Sequence, residues 1–213
     1  MTRKEMKDKA KGQLKGNWKW AVLATLINIL VLAGLEYLGG KLGKSESIFS
    51  IFGVIVLLLA GFIGTNLAVV FLNLSDMLAN TNDVFASAFN GFEGNNFKPL
   101  FINYLLSSLF KFLWGLLLFF PGVVKHYSYA MSPYIVRDYV RSGKDIKATE
   151  AIKLSRELMK GHKLDLFVLD LSFIGWEILA SMTLGIGYLW LIPYIQTTKA
   201  NFFHALADKR YLR

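Results

Sequence analysis

The chain has 213 residues, of which 54% are hydrophobic and 15% aromatic, and its mean hydropathy is +0.41. Only 18% of the residues are charged, against roughly 25% in a typical soluble domain. One globular core could not bury several long uncharged apolar runs, so the composition favours an integral membrane protein. The absence of cysteine excludes disulfides, thiolate catalysis and cysteine-ligated metals.

The net charge of +9 lies at the ends of the apolar runs. This placement is typical of topology signals and of contact with anionic lipid headgroups, and it argues against nucleic-acid binding. Residues 1–19 carry seven basic side chains against Glu5 and Asp8. They predict a basic cytoplasmic helix, and the apolar run that follows is too long for the core of a cleaved signal peptide.

The sequence predicts an all-α polytopic transmembrane bundle that forms a single membrane domain. Its six predicted spans are residues 21–38, 48–74, 99–120, 123–140, 164–182 and 188–206. The pair Pro121-Gly122 is expected to end the third span. The fourth contains Lys125, His126 and Pro133, so a kinked or re-entrant segment is an alternative there.

The distribution of basic residues predicts that both termini are cytoplasmic. With the N-terminus inside, nineteen of the 24 lysines and arginines fall in cytoplasmic segments, as the positive-inside rule requires. The segment 75–98 between spans two and three is polar but contains Val84, Phe85, Phe89 and Phe92. It forms either a short interfacial helix or a loop with buried aromatic anchors.

A second basic helix is predicted between spans four and five. Its apolar residues, including Ala151, Ile152 and Leu158, approximate one helical face. The candidate basic surface on the other face consists of Lys153, Arg156, Lys160 and Lys163.

No catalytic, cofactor or metal motif emerges from the sequence. Gly39 to Ser45 ends in Gly-Lys-Ser, but the first glycine of a phosphate loop would fall on Leu38. His126, His162 and His204 stand apart, without ligand spacing. We therefore expect neither enzymatic activity nor a bound cofactor.

Charged residues inside predicted spans are the candidate site, because such charges are costly and usually face the bundle interior. They are Lys111, Lys125, Asp170, Glu177 and Lys199. Counting helical rise from the inner ends pairs Glu177 with Lys111 at roughly 18–20 Å and Asp170 with Lys199 at roughly 9 Å. Such pairs either fix helix register or line a path for a proton, ion or headgroup.

Three strings carry a resemblance: LWGLLLFFPGVVKHYSYAMSPYIVRD, EAIKLSRELMKGHKLDLFVLDLSFIGW and LGIGYLWLIPY. With the opening KGQLKGNWKWAVLATLI, they resemble a family of bacterial integral membrane proteins known as domain of unknown function 975. One departure is Tyr139-Val140, where the family pattern suggests Asn-Pro, so helix four is expected to run longer here. The resemblance implies a multi-pass protein of the bacterial plasma membrane and supplies no activity.

Two functions remain open at this stage. The first is a permease-like or lipid- and amphiphile-handling protein, whose partners are membrane lipids with anionic headgroups. The alternative is a non-transporting immunity, sensory or scaffold protein that contacts a membrane-protein partner through its basic cytoplasmic surface. A cavity that reaches the intramembrane charges would favour the first, and a solid bundle the second.

Overall fold

The computed structural model describes residues 2–42, 46–79, 81–92, 94–117 and 119–207. Over these residues the fold contains eleven α-helices, one 3-10 helix and no strand. The helices are α1 (Arg3–Leu14), α2 (Trp18–Leu42), α3 (Glu46–Ser75), α4 (Val84–Ala88), α5 (Gly94–Leu117), α6 (Phe119–Ser128), α7 (Ser132–Arg141), α8 (Ala148–Leu158), α9 (Lys163–Leu171), α10 (Ile174–Met182) and α11 (Tyr188–Ala207), with the 3-10 helix at Asn90–Phe92.

The fold class is confirmed as all-helical, whereas the six-span bundle is not confirmed. Two helices among the described residues, α2 and α3, are long and apolar enough to cross a membrane by length and composition. The predicted third span begins earlier than expected, because α5 starts at Gly94 and carries Pro99 inside it. The Ser45 region of the first predicted loop and the last six residues lie outside the described residues.

The predicted fourth and fifth spans are each divided in two. A turn at 129–131 separates α6 from α7, and a turn at 172–173 separates α9 from α10. At the second turn, Phe173 N bonds to Asp170 O at 2.9 Å, an i to i−3 bond in place of the α-helical i−4 pattern. Helix α5 ends at Leu117 and α6 begins at Phe119, so Pro121 does not end the third helix but lies in the first turn of α6, where a missing N–H costs no hydrogen bond.

The basic N-terminal segment forms a helix that packs closely on the rest of the fold. Thr2 and Glu5 form a reciprocal capping box at the start of α1. Met6, Ala10 and Leu14 recur every four residues and are buried against the core. The Gln13 side chain donates to the Ser75 carbonyl at the end of α3. Helix α1 is therefore an integral part of the fold.

Helices α3 and α11 lie at the centre, and α3 packs against α2, α7 and α11. The segment after α3 folds back onto it through Asn66, whose amide donates to Ala88 O at 2.6 Å and accepts from Gly91 N at 2.8 Å. The aromatic residues of this segment fit both predicted alternatives, a loop with buried anchors and a helix with an exposed aromatic face. Phe92 packs on Phe62 at 4.9 Å between ring centroids, whereas Phe85 is exposed.

One contact and one proximity bring residues that were predicted to lie at mid-membrane or outer depth close to residues that were predicted to be cytoplasmic. The Lys7 ammonium donates to the Ser172 carbonyl at 3.2 Å, so α1 lies beside the turn between α9 and α10. Lys125, expected near the outer end of the fourth span, lies within electrostatic reach of Arg156 and Lys163. These observations place Ser172 beside α1 and Lys125 near α8, and α10, which follows Ser172 and Phe173, has only nine residues.

Candidate functional site

A polar cavity of about 300 Å³ opens among α3, α5, α6, α7, α9 and α11. Of the five candidate residues, the structure brings Lys111, Asp170 and Lys199 to this cavity. The neighbouring polar lining residues are Thr65, Asn103, Tyr104, Ser107, Ser108, His126, Tyr127 and Gln196. Gly61 and Gly64 of α3 form part of one wall; a Cβ at Gly61 would overlap the Tyr104 hydroxyl, whereas nothing lies within 4 Å of one at Gly64.

Asp170 and Lys199 form an ion pair across the cavity, as their matched depth predicted. The Lys199 Nζ lies 3.0 Å from Asp170 Oδ1, although Oδ1 receives no hydrogen bond with good alignment. Tyr127 donates its hydroxyl proton to Asp170 Oδ2 at 3.4 Å. The charge of Asp170 is therefore balanced within the protein.

Lys111 lies in the same cavity without an acidic partner. Among the described residues, no carboxylate comes within ion-pair distance of its ammonium group. Because Asp170 already pairs with Lys199, the ammonium form of Lys111 has no counter-charge among the described residues. A partly buried ammonium without a partner is costly, so the site is suited to a negatively charged group from outside the chain.

Buried polar groups near Lys111 add hydrogen-bonding capacity. Asn103 donates to Ser132 Oγ at 2.6 Å. One turn further along α5, the buried Ser107 Oγ has no hydrogen-bond partner among the described residues. Since buried hydroxyls are normally satisfied, Ser107 is a ready donor or acceptor for a molecule in the cavity.

The other two candidate residues lie elsewhere. Glu177 is on the exposed side of α10 and forms no ion pair with the described residues, so the predicted pairing of Glu177 with Lys111 does not occur. Lys125 lies over the ring of Trp114 at 4.3 Å, a cation–π contact rather than part of the cavity. Depth matching alone could not tell which face of α10 Glu177 occupies.

Sequence reasoning missed a charged network where α3, α7 and α11 meet. Arg137 is only 5% exposed and pairs with Asp76 and Asp138. Its Nε also donates to Asn73 Oδ1 at 2.7 Å. On the other side of Asp76, His204 Nε2 lies 2.9 Å from Oδ1. The network ties three distant segments together beside the cavity.

Asp76 is held in its ionised form by this network. Burial raises its pKa, but the hydrogen bond from His204 and the charge and hydrogen bond of Arg137 outweigh that effect and lower the pKa below its ordinary value. No sequence signal predicts this contact, because Asp76, Arg137 and His204 lie in three widely separated segments of the chain.

A family model described as "Protein of unknown function (DUF975)" matches residues 1–132 and 116–210, nearly the whole chain. The chain belongs to the DUF975 family. No curated protein and no solved structure matches it. The resemblance drawn from the motifs is thereby confirmed at the level of the family.

The basic surface of this DUF975 protein lies on α8 and the turn that follows it. Lys153, Arg156 and Lys160 are exposed, and Lys163 is half-buried at the start of α9. The opposite face of α8 is buried through Ala151, Ile152 and Leu158. The part of the chain that the structure describes holds no group of three or more His, Asp or Glu side chains that could bind a metal ion.

Proposed function

We propose that this DUF975 protein is an integral membrane protein, located in a bacterial plasma membrane, that handles anionic amphiphiles without catalysing a reaction on them. Helices α2 and α3 would cross the bilayer, in keeping with their length and composition. The excess of basic residues in the segments flanking them favours cytoplasmic termini. The exposed apolar residues of α10, such as Trp176, Ile178 and Leu179, would face lipid.

The later apolar segments enter the bilayer as short hairpins in this proposal. One contact supports it, that of Lys7 with the Ser172 carbonyl, together with the position of Lys125 within electrostatic range of Arg156 and Lys163. A hairpin that enters and leaves on the same side keeps the C-terminus cytoplasmic, so it leaves the charge distribution unchanged. Six full crossings would instead place Lys125 on the outer side, away from Arg156.

The function rests on one observation: Lys111 faces the polar cavity without an ion pair, while Asp170 is balanced by Lys199. An anionic headgroup, phosphate or carboxylate, would supply the missing partner and gain a charge-assisted hydrogen bond. A volume of about 300 Å³ is at the lower end of small-molecule sites, which suits a headgroup better than a whole lipid. The acyl chain would remain outside the cavity.

Because the chain has no cysteine, a single cysteine can report the charge inside the cavity. Ser108 lines the cavity one turn before Lys111, and Ser142 is exposed beyond α7 and serves as the reference. Each variant, purified in detergent, is treated with a negatively charged and with a positively charged methanethiosulfonate reagent. The measured quantity is the ratio of the two rates at Ser108→Cys, divided by the same ratio at Ser142→Cys.

We expect the normalised ratio to favour the anionic reagent about tenfold, since an ion pair at partial burial contributes on the order of 1–2 kcal/mol. Adding Lys111→Met should remove the preference, and Lys111→Arg should keep it. A normalised ratio near one, or a preference that survives Lys111→Met, would contradict the proposal.

A second candidate function is supported by the exposure of Lys153, Arg156 and Lys160 on one side of α8. This is the scaffold or sensory role, in which the basic surface contacts a membrane-protein partner or the lipid surface. It does not require the cavity, so the cysteine experiment separates the two functions.

A further inference from the structure

A second, apolar groove of about 520 Å³ runs between α1, α10 and α11, away from the polar cavity. Three of the five tryptophans of the chain, Trp18, Trp176 and Trp190, line it together with Leu179 and Leu191. Trp176 and Trp190 are about half exposed. In the proposed membrane location, exposed aromatic and aliphatic walls of this size are suited to contact with acyl chains.

One end of the groove is cationic. Lys7 and Lys11, one turn apart on α1, both line it. The Lys7 ammonium lies 4.1 Å from the centre of the Phe173 ring, and that of Lys11 lies 5.7 Å from the centre of the Tyr194 ring. Burial, and then the charges of Lys11 and Arg3, lower the pKa of Lys7. An anion between the two lysines would relieve this repulsion.

The dimensions match one leaflet of a bilayer. The apolar wall follows α10, whose nine residues begin just after the contact of Lys7 with the Ser172 carbonyl and end at the turn that contains Thr183 and Gly187. Nine helical residues span about 13 Å, close to half of the roughly 30 Å hydrocarbon core. The basic helix α1 would lie at the cytoplasmic surface, where anionic lipids attract it.

We propose that this groove binds an anionic phospholipid of the cytoplasmic leaflet, with its phosphate between Lys7 and Lys11 and an acyl chain along the tryptophan-lined wall. An acyl chain needs no hydrogen-bond partners, and the side chains of the wall are mainly apolar. This site depends on the proposed membrane location but not on Lys111 or on binding in the polar cavity.

The test uses the tryptophans of the groove as reporters. The full-length protein is reconstituted into vesicles of phosphatidylcholine that contain a small fraction of lipid with brominated acyl chains, which quench tryptophan fluorescence on contact. The brominated lipid is either phosphatidylglycerol, which is anionic, or phosphatidylcholine, which is zwitterionic. Wild type is compared with Lys7→Gln, Lys11→Gln and with the matched control Lys4→Gln, Lys9→Gln, whose lysines are exposed on the same helix outside the groove.

Each lysine near an anionic headgroup contributes enough for about a fivefold change in affinity, so we expect wild type to prefer the anionic quencher on the order of tenfold. The preference should disappear in Lys7→Gln, Lys11→Gln and persist in the control pair. Lys7→Arg, Lys11→Arg keeps both charges and should retain the preference even if the glutamine pair folds poorly.

Three results would overturn the proposal. They are equal quenching of wild type by the two lipids, an equal loss of preference in both glutamine pairs, and retention of the full preference by a folded Lys7→Gln, Lys11→Gln protein. The first would mean ordinary boundary lipid, and the second diffuse attraction by the whole helix. None of these outcomes depends on the reactivity of a cysteine at Ser108, so the two proposals can fail separately.

Discussion

The network around Arg137 provides the sharpest test of how the helices are held together. Arg137→Met would leave Asn73 without a guanidinium partner and Asp76, which is 16% exposed, with only the more distant guanidinium of Arg141 at 3.5 Å. Removing one member of a buried ion pair typically costs 3–5 kcal/mol. Because Asp76 keeps His204 at 2.9 Å, we expect the lower end, about 3 kcal/mol.

The matched control is Arg141→Met, the same substitution one helical turn away. Arg141 lies 3.5 Å from the same carboxylate but is 53% exposed, so its loss should cost less than about 1 kcal/mol. For a chain of this size, 1 kcal/mol corresponds to roughly 2–4 °C in melting temperature. We therefore expect a fall of about 6–12 °C for Arg137→Met and under about 4 °C for the control.

Thermal unfolding of the purified variants in one detergent measures both values. The double variant Asp76→Asn, Arg137→Met should lose less stability than the two single changes added together, because neither charge is then left alone. Equal melting temperatures for Arg137→Met and Arg141→Met, or strictly additive losses, would refute the claim that the Arg137 network holds α3, α7 and α11 together.

Three further results are expected. Folding lowers the pKa of Asp76, so the stabilisation from this carboxylate is fully present above its ordinary pKa of 3.8 and is lost as the pH falls through the lower pKa of the folded state. The difference in melting temperature between wild type and Asp76→Asn should therefore narrow below about pH 4. A difference that stays constant with pH would contradict this linkage. Neutralising the basic surface formed by Lys153, Arg156, Lys160 and Lys163 should weaken co-sedimentation with anionic vesicles, by at most about 1 kcal/mol per charge. Unchanged binding would mean that these charges act as topology signals only. Gly122→Ala should lower the melting temperature more than Gly12→Ala. A Cβ at position 122 would lie 2.9 Å from Gly115 Cα, whereas a Cβ at position 12 would have nothing within 4 Å. Equal effects of the two substitutions would argue against close packing of α5 on α6.

The sequence predicted the helices better than it predicted how far each one extends across the bilayer. Hydrophobic run length located α2, α3 and α11, and the 3.6-residue period located α8. The turn at 129–131 lies just before Pro133, in the span for which a kink was the predicted alternative. The turn at 172–173 was not predicted, because no proline or glycine marks it. The turn at 172–173 is instead accompanied by the contact of its Ser172 carbonyl with Lys7, 165 residues away.

The sequence predicted part of the site, because helical rise gives the relative depth of charged residues on different helices. Helical rise placed Asp170 level with Lys199 and correctly predicted their pairing. The same count paired Glu177 with Lys111, which failed because the turn at 172–173 redirects α10 and leaves Glu177 exposed. The contact of Asp76 with Arg137 depends on the tertiary packing of α3 against α7, which a single sequence does not reveal.

The membrane topology of α10 and α11 is the most direct test of the proposed short hairpins, and two single-cysteine variants measure it. Ile186 is exposed in the turn between α10 and α11, and Ser142 is exposed beyond α7. Intact cells are treated with a thiol reagent that does not cross membranes, and then permeabilised cells are treated in the same way. Short hairpins predict no labelling of either cysteine in intact cells and labelling of Ser142→Cys after permeabilisation. Labelling of Ile186→Cys from outside intact cells would contradict the account and establish that α10 and α11 cross the membrane, as the sequence alone predicted.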